Sequence, residues 1–145
     1  MRRRVAFLPF PPPLLLLVLF TAGCDGPNEP ASENVEAPAR VASVVIPDSV
    51  AANETIPVVI YWAGGGCVRA ISRVVITADE RVYEVHPFVE ELRGGVCPAD
   101  VFTGRLDVAL PPAPYAGNNV LRVVGEGGTQ RYVFYVDGSL EPHTP

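Results

Sequence analysis

Between Val41 and Val136 the chain runs as short apolar stretches rich in Val, Ile and Tyr, separated by turn-forming residues. Seven such runs stand out, at 41–46, 54–62, 69–78, 81–88, 101–110, 119–125 and 130–136. Several alternate as a half-buried strand must, because successive side chains point to opposite faces. Ile56, Val58, Ile60 and Trp62 share one face. Leu106, Val108 and Leu110 oppose Arg105, Asp107 and Ala109, and Tyr132, Phe134 and Val136 oppose Arg131, Val133 and Tyr135. Asp79-Glu80 and Gly125-Glu126-Gly127-Gly128 are gaps short enough for hairpins. No window carries a helical period. The pattern predicts an all-β domain, a single antiparallel β-sandwich of about seven strands.

Upstream the texture differs. Residues 25–40 hold one sizeable apolar side chain, Val35, too little to offset the entropy of ordering, so they are expected to be a disordered tether with a reach of about 20–25 Å. Before it, Arg2 to Arg4 form a positive stretch, Leu14 to Phe20 an apolar one, and Thr21-Ala22-Gly23 supply small residues ahead of Cys24. That order is a secretory signal. The apolar run is too short to span a bilayer, which takes about twenty residues, and Pro9 and Pro11 to Pro13 break any longer helix. Thr21-Ala22-Gly23-Cys24 resembles the lipobox of bacterial lipoproteins, although Thr21 stands where leucine is usual. The resemblance implies cleavage after residue 23, acylation of the Cys24 thiol and a place in the bacterial cell envelope, facing the periplasm or the exterior.

Residues 41–137 in turn resemble the immunoglobulin-like domains of bacterial lipoproteins. The likeness is carried by Val44-Val45-Ile46-Pro47-Asp48-Ser49-Val50, the Cys67 and Cys97 pair, and Asn119-Val120-Leu121-Arg122-Val123-Val124-Gly125. It implies architecture alone, since such folds serve many activities. The expected organisation is therefore a signal peptide over 1–23, the lipidated cysteine and tether over 24–40, an immunoglobulin-like β-sandwich over 41–137 and a disordered tail over 138–145.

Charge narrows the partners. The full chain carries a net −5, with eleven basic residues, all arginine, against sixteen acidic ones. Removing residues 1–23 takes away three arginines and no acid, leaving −8. Nucleic acid is a poor partner for such a domain, because neutralising phosphates takes clustered positive charge. The expected partners are the membrane, through the lipid on Cys24, and an envelope protein or glycan.

Candidate chemistry is sparse. Of the two histidines, His143 falls in the tail and His86 late in a strand. No Gly-x-Ser-x-Gly elbow presents a nucleophile, and Gly64-Gly65-Gly66 lacks the Lys-Ser/Thr of a phosphate loop. Trp62, Tyr83 and Phe88 read as core. Glu90, Glu91 and Asp100 share what reads as one long loop, 89–100, and with His86 they form the alternative reading of a metal- or ligand-binding protein or enzyme. The favoured reading is a non-catalytic interaction or structural module that needs no cofactor.

Strand alternation adds two expectations. If consecutive strands run antiparallel, connections alternate between two poles. Loops 63–68, 89–100 and 126–129 then share the pole where the tether enters, and 47–53, 79–80 and 111–118 the opposite one. Cys67 and Cys97 meet at the first pole and, in an oxidising compartment with Cys24 acylated, should pair. Asp48, Asn53, Tyr115 and Asn118 become the candidate contact residues at the far pole, where loops carry recognition.

Overall fold

The computed structural model describes residues 32–138. The expected signal peptide, Cys24 and His143 lie outside the described residues, as does all of the expected tail except Gly138. The fold is all-β, with nine strands and no helix among the described residues.

The longest inward-facing row is that of β4 (Ile56–Gly65), where Ile56, Val58, Ile60 and Trp62 are buried in strict alternation, as the pattern predicts. β4 pairs along its whole length with β7 (Val101–Leu110), from Ile56 opposite Leu110 to Gly65 opposite Val101, and on its other edge with β2 (Arg40–Val45). These three make one wing. The other wing is built on β6 (Val82–Arg93), flanked by β5 (Val68–Asp79) and by β8 (Gly117–Gly125), then β9 (Gly128–Asp137) and the short β3 (Ser49–Ala51). The wings are continuous only through the tight β4–β5 hairpin, where Gly65 pairs with Val68. The sheet curls there, and the inner faces of β4 and β7 meet those of β6, β8 and β9 in one core that includes Tyr83, Val85, Leu121, Val123, Phe134 and Val136.

The expected strands are present, with corrections at their ends. The largest concerns the tether. Glu33–Pro38, placed in a disordered linker, forms β1 and pairs antiparallel with β6 from Arg93 to Phe88. Its stability comes from backbone pairing along a sheet edge, which needs few apolar side chains and leaves little trace in hydropathy. The partner also lengthens β6 to Arg93, so the expected loop 89–100 shrinks to the segment 94–100. Strand pairing therefore reaches back to Glu33, eight residues before the expected boundary at 41.

The sheet is also not purely antiparallel. β6 and β8 run parallel over Val82–Val85 and Val120–Val123, and β3 runs parallel to β9. The chain leaves β6, crosses to the other wing as β7 and returns as β8, and such a crossover delivers parallel neighbours. Phe88, expected in the core, faces outward, with the Arg73 guanidinium 4.5 Å above its ring.

A second, smaller core gathers Ala39, Trp62 and Val89 near the end of the wings where β1 begins. The Trp62 indole lies across Gly104, its partner on β7, so closely that a Cβ on Gly104 would fall inside the indole ring. Replacing Gly104 by Ala should therefore cost about 1–3 kcal/mol through overpacking. Gly127→Ala, whose Cβ would meet nothing, should change stability by less than about 0.5 kcal/mol. Urea unfolding of both variants checks this; equal midpoints would contradict the packing described.

Candidate functional site

The strand directions bring the connections to two poles as expected. At the pole where β1 begins, the turns after β4 and β8 and the 94–100 segment surround an open recess of about 640 Å³. Its walls are Ala37 and Pro38 of β1, the Gly64–Gly66 stretch, Val89 of β6 and Pro98 to Val101. The charged side chains on its rim are largely paired: Arg40 with Glu126 at 3.1 Å and Arg93 with Glu91 at 3.7 Å. The lining contains no His, Ser, Thr, Tyr or free thiol. A glycine is needed at Gly65, where φ is +133° and a Cβ would strike the Asp100 carbonyl.

Beside this recess the disulfide joins Cys67 and Cys97, their Cα atoms 5.0 Å apart and thirty residues apart in sequence. Gly66 N–H donates to the Asp100 carbonyl at 3.0 Å, so two ties, this bond and the bridge, hold 94–100 against the β4–β5 hairpin, while Leu92 N–H of β6 donates to the Cys67 carbonyl at 3.0 Å. Closing a loop of thirty residues is worth about 3.6 kcal/mol on the chain-entropy model.

At the far pole stand the four candidate contact residues. Asp48 precedes β3 and its carbonyl accepts from Tyr135 N–H at 2.8 Å. Asn53 occupies the turn after β3 with φ +62°, a left-handed conformation that asparagine tolerates better than most residues. Tyr115 is half-exposed. It lies 5.5 Å beneath the guanidinium of Arg81, which also donates to the carbonyls of Ala116 at 2.7 Å and Asn118 at 3.3 Å. Arg81 thus gathers Tyr115 and Asn118, a role the sequence reading missed; its position in the turn beside the Asp79-Glu80 gap was the available signal. Asn119, fully buried, closes the 115–119 turn by donating from Nδ2 to the Tyr115 and Gly117 carbonyls. Asn119 Oδ1 and the Tyr83 hydroxyl are buried without a protein partner, and burial raises the Tyr83 pKa.

The residues of the alternative reading do not converge. His86 lies on the outer face of β6, its Nε2 3.5 Å from Glu84, and lines neither recess. Glu90 and Glu91 sit in β6 itself, where neighbours face opposite ways, and only Glu91 shares the recess with Asp100. Among the described residues no group of three or more His, Cys, Asp or Glu side chains is placed to hold a metal ion. No protein-family model, curated protein or solved structure matches the chain.

Two exposed clusters pair a carboxylate with an arginine, one around Glu84 and one around Glu36. Arg122, donating to Glu84 at 3.1 Å, and then His86 hold the Glu84 carboxyl below its ordinary value of 4.5; Arg73 and Ser72 do the same for Glu36. A carboxylate depressed by folding adds stability that is present above its unfolded pKa and lost as pH falls through the folded one. Melting temperature should therefore drop as pH falls from about 5 toward 3, and Glu84→Gln should shrink that drop. An unchanged acid profile in the variant would contradict the pairing.

Proposed function

We propose that this protein is a lipid-anchored component of the bacterial cell envelope, acylated on Cys24, whose folded domain works by contact rather than by catalysis. The observation that carries the reading is the cysteine balance. Of three cysteines, two are joined in the Cys67–Cys97 bridge, and the one left over stands where the lipobox resemblance calls for an acylated thiol. An unlipidated thiol there would be an exposed, reactive liability in an oxidising compartment.

The domain is an immunoglobulin-like β-sandwich in this reading, supported by two wings that share one core, although the parallel β6–β8 pair departs from a purely antiparallel plan. A contact role is supported by the far pole, where Arg81 holds the half-exposed Tyr115 and the Asn118 carbonyl together. The partner, an envelope protein or glycan, is met at the far pole by Asp48, Asn53, Tyr115 and Asn118, because the tether holds the opposite pole toward the membrane.

Intact-mass measurement on protein extracted from membranes tests the anchor. The expected mature chain starts at Cys24 and carries the mass of a lipid; a chain starting elsewhere, or without lipid, contradicts it. Crosslinking in intact cells tests the contact face, with the adduct expected to fall when Asp48, Asn53, Tyr115 and Asn118 are replaced together. An undiminished adduct would refute that face.

A further inference from the structure

The geometry points to a membrane-seating surface at the pole where the tether arrives, built from Val96, Val101 and Phe102 and resting on the lipid bilayer itself. This deepens the anchored reading above and depends on Cys24 being acylated. Val96 is 100% exposed and Val101 83%, while Phe102 is 38% exposed. Isolated exposed apolar residues need no explanation, but these three gather at one end of the domain, bordering two adjoining recesses. Val96, Phe102 and Leu92 surround a single recess of about 340 Å³ next to the disulfide, and Val101 lines the larger recess alongside it. The tip is held out rather than tucked in. Gly94 takes φ +77°, and the neighbouring Cys97 is joined to Cys67, so Val96 stands between two fixed points.

The chain's path selects lipid as the occupant. Ser32, where the described chain begins, adjoins this tip: a Cβ on Gly95 would lie 3.8 Å from the Ser32 Cβ. Only eight peptide units separate Ser32 from Cys24, and eight extended residues span at most about 28 Å. An acylated Cys24 therefore confines Val96 to the neighbourhood of the bilayer at high effective concentration, where a small apolar contact suffices to set orientation. The charges at this pole are mixed: Arg69 and Asp100 border the same recess as Val96, and Arg93, paired with Glu91, borders the larger one. Arginine stems lie along apolar surface while their heads reach lipid phosphates.

The single tryptophan reports on this pole. Trp62 sits behind Phe102, ring centroids 5.4 Å apart. The mature, membrane-extracted protein is reconstituted in phosphatidylcholine vesicles containing a nitroxide-headgroup lipid, and the quenching of Trp62 fluorescence is compared with that in a Val96→Asp, Val101→Asp variant. Both substituted side chains are more than four-fifths exposed, so the fold is preserved. The expected result is quenching at least about twofold stronger in the unaltered protein. Intact mass on the same samples separates the two claims. Lipid on Cys24 with equal quenching overturns the seating surface alone and leaves the tip to a protein partner. Absence of lipid on Cys24 overturns the anchor, and the seating surface falls with it.

Discussion

At Ala39 the chain leaves one wing of the sheet for the other, and the crossing is buried to the last atom. Ala39 is fully buried; its N–H donates to the Pro87 carbonyl at 2.9 Å and its carbonyl accepts from Glu126 N–H at 3.0 Å. One residue thus ties β6, the β8–β9 turn and the β1–β2 junction together with both backbone groups satisfied, as a buried peptide requires. Its neighbours make room: a Cβ on Gly125 would press on the Ala39 carbonyl. Close by, Gln130 Nε2 reaches from β9 to the Val41 carbonyl at 3.1 Å, a second polar tie between the wings.

The geometry of the tether pole follows from that crossing. Because β1 reaches it along β6, β6 continues to Arg93, and the following segment begins its return at the height of the β4–β5 hairpin. That places Cys97 opposite Cys67, and the bridge closes the pole. The same path delivers Ser32 beside Gly95, at the pole opposite the 111–116 connection. Surface ion pairs such as Arg40–Glu126 decorate this arrangement but do not create it, since exposed pairs are worth about 0–1 kcal/mol.

Much of this was legible in the residues. Alternation placed Ile56, Val58, Ile60, Trp62 and Phe134 in the core, because a period of two has one reading when one face is apolar. The alternation of strand directions placed Cys67 and Cys97 at one pole, where they meet. Glu33–Pro38 was not legible: its single sizeable apolar residue, Val35, gives no hydrophobic signal, and what orders it is pairing with a strand fifty to sixty residues away. The parallel β6–β8 pair escaped for a related reason, since strand patterns fix faces but not neighbours. At the candidate site, the far-pole residues could be named from turn composition. The gathering of Tyr115 and Asn118 by Arg81 depends on a contact thirty-seven residues apart, between Arg81 and the Asn118 carbonyl, which no local pattern carries.

If the crossing at Ala39 closes the domain, its amide should open only when the whole domain unfolds. Native-state hydrogen exchange of the Ala39 N–H measures this directly. The account predicts protection equal to that of the slowest amides of β8 and β9, falling in step with them as denaturant is added. Exchange at Ala39 as fast as that of the exposed 94–100 segment would contradict it, and would show that β1 and β2 dock onto a domain already closed without them.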